Sequence, residues 1–540
     1  MSGADPDFRA RSGLSIEAYN DLADAVGEIV GQAVTEHVPT RLAGGDATLW
    51  GPAAEPGARI RLGWLDLPRA SRGLLDRLSA LRAELTAEGI DRIVLAGMGG
   101  SSLAPEVICR TAGVDLTVLD TTDPGQVRAA LADRLDRTLV VVSSKSGTTV
   151  ETDSHRRVFA QAFADAGLPA GQVGRRFVVV TDPGSPLEQV AEGGGYREVF
   201  LADPDVGGRY SALSAFGLVP AALAGADVAS LLDDAEALSA ALPNDSANPG
   251  LDLGAALGAA FTRGRDKIVI ADVGSGLVGL GDWAEQLIAE STGKDGRGLL
   301  PVVVESCDAP GSRGQDTFLI TIGSSVDGGG ATVSGPLGAQ FLVWEYATAL
   351  AGRVIGIDPF DQPNVAESKD NTRRILADGL PEAAPVFTDG AVQVFGDPGL
   401  LGDIRTVAGV LRALLDAIGD RGYLAVMAYL DRHADASAAD LRTLLARATP
   451  HPVTFGWGPR FLHSTGQYHK GGPQVGAFLQ ITGAVAEDLR IPGVPYTFGQ
   501  LQAAQSAGDL QALAGRGRPV ARLHLTDRAA GLGQLLEAVV

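Results

Sequence analysis

Residues 141–152, VVSSKSGTTVET, run an apolar stretch into Ser, Lys, Gly and Thr residues. Capping a helix needs one hydroxyl. This string offers Ser143, Ser144, Ser146, Thr148 and Thr149, and then Thr152. Hydroxyls and backbone N–H groups in a strand-to-helix turn make a cup for one phosphate dianion. A mononucleotide loop would need G-x-x-x-x-G-K-[ST], and the string lacks that spacing. A second glycine-rich string, LAGMGGSSLA at 95–104, lets the backbone turn at Gly97, Gly99 and Gly100 before Ser101 and Ser102 start a helix. Such a turn can approach an anion closely. Alone it also fits a dinucleotide fingerprint, with Asp120 near the ribose-binding spacing, so a nicotinamide enzyme stays open at this point.

Four further strings carry charge. DVGGRYSALSAFGL (205–218) sets Arg209 in a Gly-Gly turn, where a guanidinium could clamp a phosphate or stabilise a developing oxyanion. AESTGKDGRGLLP (289–301) places Glu290 at the end of an apolar helical stretch, where partial burial would suit a carboxylate to proton transfer. DPFDQPNVAESKDN (358–371) carries Gln362 and Lys369 on the way into a helix. FGWGPRFLHSTGQYHKGGP (455–473) holds Trp457, His463, Gln467, His469 and Lys470 between glycines. The two histidines are six apart, with neither a nearby Cys nor an H-E-x-x-H pattern, so no metal site is expected.

Lysine is scarce. Of 44 basic residues only Lys145, Lys267, Lys294, Lys369 and Lys470 are Lys. A chain that uses Arg for generic surface charge keeps Lys for tasks suited to a compact, mobile ammonium.

The elements that must position these strings alternate between apolar runs and amphipathic stretches. DRIVLAGMGG (91–100), LTVLDTTD (116–123), TLVVVSSKSG (138–147) and RRFVVVTDPGSP (175–186) read as buried strands running into turns, with helical VRAALADRL (127–135) between two of them. DKIVIADVGSG (266–276), TFLITIGSS (317–325) and AGRVIGIDPF (351–360) read as a second set, with helices WAEQLIAES (283–291) and AQFLVWEYATALAG (339–352). GYLAVMAYL (422–430), PVTFGW (452–457), GAFLQIT (476–482) and PVARLHL (519–525) form a third, with helical ADLRTLLARA (439–448). Such alternation predicts an α/β fold with doubly wound parallel sheets, whose ligands sit at the strand C-termini. The expected units are an N-terminal arm at 1–60, helical over 15–36, then 61–255, 256–390 and a C-terminal α/β region at 391–540.

The formal net charge of −21 argues against nucleic acid and anionic membrane as partners, and requires that any phosphate be held by local groups. No apolar run is long enough for a membrane span. The N-terminal MSGADPDFRARSGLS has no apolar core of the signal-peptide kind, and Cys109 and Cys307 lie far apart, so a cytoplasmic location is expected.

Taken in order, SSKSGTTVET, VGGRYSALSAFGL, ESTGKDGRG and FDQPNVAESK resemble the phosphoglucose isomerases, which are built from two sugar-isomerase (SIS) domains. The resemblance covers roughly 60–390. It implies two doubly wound SIS domains, 61–255 for phosphate binding and 256–390 for the base and the Lys motif. The implied activity is aldose–ketose isomerisation of glucose 6-phosphate and fructose 6-phosphate, without cofactor, on a sugar phosphate, by a homodimer. Isomerisation of another phosphosugar such as mannose 6-phosphate, or a non-catalytic sensor, remains an alternative. Gly100 and Ser101, with Ser144, Ser146, Thr149 and Thr152 and the backbone near Lys145, would hold the substrate. Arg209 would stabilise the enediolate, and Glu290 would shuttle the proton. Gln362 and Lys369 would contact the substrate near the ring oxygen.

Two departures stand out. Asp316 falls where the family's ring-opening His is expected, so His463 or His469, from this chain or a neighbouring subunit, is expected to replace it. Asn364 and Ala366 stand where Gly and Glu are usual. The C-terminal region resembles the isomerase half of transaldolase–phosphoglucose isomerase fusions.

Overall fold

The computed structural model describes residues 14–18, 22–380 and 384–539. Its first element corrects the expected helix over 15–36. Ser15–Ala18 is a strand, β1, and the helix α1 spans only Ala23–Thr35. The reason is tertiary. β1 pairs antiparallel with a distant edge strand, Ser15 opposite Ser334, so the pairing decides the conformation of these few residues.

The first sheet holds β2 (Arg92–Gly97), β3 (Thr117–Leu119), β4 (Thr138–Ser143), β5 (Phe177–Thr181) and β6 (Glu198–Leu201). All neighbours are parallel, in the order β3-β2-β4-β5-β6. Every residue of β2, β4 and β5 is buried, which explains their continuous Val/Ile-rich runs without polar alternation. Chain order reverses direction between β2 and β4, so the crevice beyond their C-terminal ends is the favoured ligand position. Helix α2 (Leu103–Ala112) follows the β2 loop and α3 (Val150–Asp165) follows the β4 loop.

The second sheet holds β7 (Lys267–Val273), β8 (Leu300–Val304), β9 (Thr317–Gly323) and β10 (Ala331–Ser334), ordered β1-β10-β9-β7-β8. Between β7 and β8 lies α4 (Leu280–Thr292), and after β10 comes α5 (Leu337–Ile355). The strand expected at 351–360 is absent. Residues 351–355 continue α5, and Gly356 ends it in the left-handed conformation, φ 78°. The amides of Gly356 and Ile357 both return to the Gly352 carbonyl, a glycine stop of the Schellman type. Helix α6 (Val365–Asp378) follows.

The third sheet combines the hairpin β11 (Phe387–Asp389) and β12 (Val392–Gly396) with β13 (Tyr423–Tyr429), β14 (Val453–Trp457), β15 (Gly476–Gly483) and β16 (Val520–Leu525). The order is β11-β12-β16-β15-β13-β14, with β11–β12 and β12–β16 antiparallel and the other neighbours parallel. Between β15 and β16 runs the long helix α7 (Phe498–Gly515). One face of this sheet builds its own core from Val394, Val426, Leu479 and Leu523. On the other face Tyr423, Met427 and Phe478 pack in a cluster with Val269, Leu300 and Leu319 of the second sheet. Among the described residues no helix is long and apolar enough to cross a membrane.

Glu345 in α5 is fully buried without an ion-pair partner among the described residues. Burial drives its carboxyl well above the usual value, and a hydrogen bond from the Ala212 backbone offsets this only in part. The folded chain therefore keeps a proton that the unfolded chain releases above pH 4.5, so this group subtracts stability as pH rises. Glu345→Gln should raise Tm by about 1–2 °C at pH 8. The gain should shrink toward pH 5 in a series of thermal melts.

Candidate active site

The loop after β4 is folded on itself by its own hydroxyls. Ser144 Oγ lies 2.9 Å from Thr149 Oγ1, and Ser146 Oγ 3.0 Å from Thr148 Oγ1. The Gly147 amide donates to Ser144 Oγ at 3.1 Å. Gly147 has φ +68°, and a Cβ there would meet the Leu187 nitrogen at 2.8 Å, so only glycine lets the loop turn against that backbone. Thr149 stands at the N-cap of α3 without using its side chain as a cap. The first-turn amides of α3 have no partner within the helix, and its dipole places positive potential there. A loop of this kind can cradle an oxyanion. The ammonium of Lys145 is turned away, donating to Asp182 Oδ2 at 2.5 Å and to the Pro204 carbonyl at 3.1 Å. Only its backbone is left for a ligand. Thr152 is buried one turn further along, its Oγ1 without a partner.

The β2 loop serves by close approach. A Cβ on Gly100 would fall 1.9 Å from the Gly208 carbonyl, and one on Gly99 2.8 Å from both Gln286 Nε2 and the His463 carbonyl. The two glycines thereby let the Arg209 turn, α4 and the His463 segment converge. Ser101, next in line, is buried.

Arg209 is buried, and its donors are nearly all committed. Nε donates to Ser291 Oγ at 2.7 Å, Nη1 to Gln362 Oε1 at 2.6 Å, and Nη2 to the carbonyls of Pro359 and Asp361 at 2.8 and 2.9 Å. A guanidinium has five N–H groups. The one left over is on Nη1, which stands 3.3 Å from Glu290 Oε1. The other Glu290 oxygen accepts from Gln286 Nε2 at 3.0 Å, and the same nitrogen donates to the His463 carbonyl at 2.7 Å. Gln286 therefore ties the carboxylate to the histidine segment.

His463 Nε2 is 3.0 Å from Glu151 Oε1, which also accepts from Gln505 Nε2 at 2.6 Å. Burial pushes the Glu151 carboxyl up. The charge and hydrogen bond of His463, helped by Lys369, overcome that and hold it at about 2. Glu151 orients the ring through Nε2 and leaves Nδ1 outside that contact. His469 is placed otherwise. It is buried, stacked on Tyr423, with Nδ1 2.9 Å from the Tyr423 hydroxyl. Burial and the charges of Lys470 and Arg518 keep it well below the usual histidine range. Of the two histidines expected to replace the family's, His463 lines a cavity within this chain. Asp316 lies 3.0 Å from Lys267 Nζ in a separate buried pair.

That cavity has a volume of 640 Å³, and its wall includes Ser146, Thr149, Lys369 and His463. Four of the five lysines are paired with carboxylates, Lys145 with Asp182, Lys267 with Asp266 and Asp316, Lys294 with Asp361 and Lys470 with Asp509. Lys369 alone has no such pair among the described residues. Glu290, Arg209 and Gln362 form a second cluster beside the cavity, joined to it through Gln286 and His463. Gly100, Ser101, Ser144, Lys145 and Thr152 do not line it.

Sequence reasoning missed three groups. Glu151 lies inside the quoted loop string but received no role. Gln286 stands four residues before Glu290, one helical turn away, a spacing that could have flagged it. Gln505 had no local signal.

Parallel α/β sheets meeting over a hydroxyl-lined anion cup, with a carboxylate and a guanidinium alongside, define a sugar-isomerase type of protein. The family model described as phosphoglucose isomerase matches residues 77–295. Glucose-6-phosphate isomerase of Symbiobacterium thermophilum is 30% identical over 403 residues, 59% of this chain and 88% of that protein. The match to the enzyme of that name from Thermosynechococcus vestitus is 39% identical over 214 residues, which is 38% of this chain and 40% of that one. The chain belongs to the phosphoglucose isomerase family. Among solved structures, a hypothetical protein of Thermus thermophilus superposes with TM-score 0.56 at 26% identity, covering 67% of this chain and all of that one. A glucose-6-phosphate isomerase of Chlamydia trachomatis shares the fold, with TM-score 0.52 at 19% identity over 69% of this chain and 91% of that one.

Proposed function

We propose that this protein interconverts glucose 6-phosphate and fructose 6-phosphate through an enediolate. The Glu290–Arg209 pair carries this reading. An aldose–ketose shift needs one base that reaches two adjacent carbons and a cation beside the oxygens on which charge develops. Glu290 and the one uncommitted N–H of Arg209 stand 3.3 Å apart. The guanidinium is pre-organised by four other acceptors, so little reorganisation accompanies charge development.

The remaining groups take their parts from position. The phosphate sits in the cup of Ser144, Ser146 and Thr149, with the amides near Lys145, and holds the remote end of the substrate. His463, with Glu151 behind it, moves the proton that opens the sugar ring. Lys369 lends positive charge near the ring oxygen. Glu290 takes the proton from C2 and returns it to C1, while Arg209 bears the enediolate. Gln362 orients Arg209 and keeps its own amide nitrogen free for the substrate.

Production of glucose 6-phosphate from fructose 6-phosphate, coupled to glucose-6-phosphate dehydrogenase, tests the reading. Robust turnover is expected. Absence of turnover while phosphate esters still bind would move the protein to another phosphosugar. Thr149→Val removes one hydroxyl from the cup. A hydrogen bond to a charged group contributes about 1.5–3 kcal/mol, so KM should rise about tenfold or more. The inhibition constant of inorganic phosphate should rise in parallel, and an unchanged one would take Thr149 out of the cup.

A further inference from the structure

On the face of the third sheet turned toward α7, two rows of side chains run across β12, β16 and β15. Gln393, His524 and Thr482 are register partners in one row, and Phe395, Arg522 and Gln480 in the other. The opposite face of the same strands is apolar and packed, so this polar face is built rather than residual. Between it and α7 lies a groove of 600 Å³, a volume suited to a metabolite.

The charge of the groove runs against that of the molecule. The chain carries −21 overall, yet the groove wall contains Arg522 and His524 and neither Asp nor Glu among the described residues. Arg522 has no carboxylate partner among them. It rests over the Phe395 ring, 4.2 Å from its centroid, and its Nε is buried with no hydrogen-bond partner. An uncompensated, partly buried guanidinium is costly to keep. Burial alone accounts for the lowering of its proton affinity, with no acid to offset it. From the helix side comes Gln502, 4% exposed, whose Nε2 is also without a partner. His524 uses Nδ1 on Thr482 Oγ1 at 2.9 Å, which leaves Nε2 free. Three sets of unmatched nitrogen donors therefore line one groove at the C-terminal ends of parallel strands β15 and β16, where open α/β sheets bind ligands.

We propose that this groove is a second anion site, separate from the catalytic cavity, which takes a small metabolite through a phosphate or carboxylate group. Arg522 forks onto the oxyanion, and Gln502 and His524 donate to its remaining oxygens. Phe395 and Leu510 flank the body of the ligand. The site adjoins the catalytic one through α7, which carries Gln502 toward the groove and Gln505 to Glu151.

Calorimetric titration of the full chain at pH 7 in chloride-free buffer tests this. Inorganic phosphate and malonate serve as probes of the two oxyanion types. The background is a Ser146→Ala/Thr149→Val double variant, so that binding at the catalytic cup does not intrude. One phosphate or malonate site is expected there, and whichever probe binds identifies the preferred group. Arg522→Gln should weaken that binding at least tenfold. Gln393→Glu, which puts a carboxylate beside His524 and leaves Arg522 in place, should do the same in a protein whose circular dichroism and Tm match the parent. Equal binding by parent and both variants would overturn the proposal, as would no binding of either probe up to millimolar concentration.

Discussion

Glu290→Gln should lower kcat about 10³-fold, within the range attributed to a positioned general base, with KM changed little. The substitution is close to isosteric. The new amide oxygen can still accept from Gln286 Nε2, which holds Glu290 Oε2 at 3.0 Å, so the helix end and the His463 segment should stay in place. What disappears is the basic oxygen beside Arg209. Two readouts make the case. The coupled assay gives the loss of turnover. Incorporation of solvent deuterium at C2, followed by NMR, reports proton abstraction directly. Both should fall together. Surviving exchange would mean that another group removes the proton and that Glu290 acts later or only holds Arg209.

His463→Ala should cost about 10²-fold on fructose 6-phosphate, since acid–base assistance is worth that much or more. The loss should be far smaller on 5-deoxyfructose 6-phosphate, which lacks the hydroxyl that closes the ring. Equal losses on both substrates would show that His463 acts in isomerisation or only in holding Gln286. Glu151→Gln should share the substrate-dependent pattern in milder form, because Glu151 orients the His463 ring through Nε2. It should also alter acid stability. Glu151 is held at about 2 against 4.5 in the unfolded chain. Its stabilising contribution is therefore present above pH 4.5 and lost as pH falls toward 2. The variant should lack that part of the acid-unfolding curve.

Much of the site is legible in the sequence because its strings are local. A strand that ends in SSKSGTT must spend its hydroxyls close by, and the structure folds Ser144 onto Thr149. Glu290 and Arg209 were visible as charges at the ends of small-residue or apolar stretches. Burial of charge there is rare enough to draw attention. Pairings across the chain were not visible. Glu151 meets His463 312 residues away and Gln505 354 residues away. No spacing rule reaches so far. The same cause misplaced two elements. Ser15–Ala18 becomes a strand only because β10 offers an open edge. Val354 and Ile355, which favour strands by type, finish a helix because Gly356 supplies the stop just after them. Scarcity of lysine singled out Lys369, which lines the cavity without a carboxylate pair among the described residues, but it also flagged Lys145, whose ammonium ties its loop to those after β5 and β6.

The joining of Glu151 on the first sheet's α3 to His463 beyond β14 of the third also bears on when this chain becomes active during its synthesis. With chain growth at about 5–20 residues per second, the stretch after residue 390 takes on the order of 10–30 s to emerge. The first two sheets can collapse in that time, with the anion cup, Arg209 and Glu290 already made. His463 is still in the unsynthesised part, and the Gln505 that steadies Glu151 comes later still. On the proposed assignment, a ribosome-bound chain holds most of its catalytic groups and should be silent toward the closed sugar. Long-range closure of this kind is slow relative to local folding, so recovery of activity after dilution from denaturant should trail recovery of secondary structure.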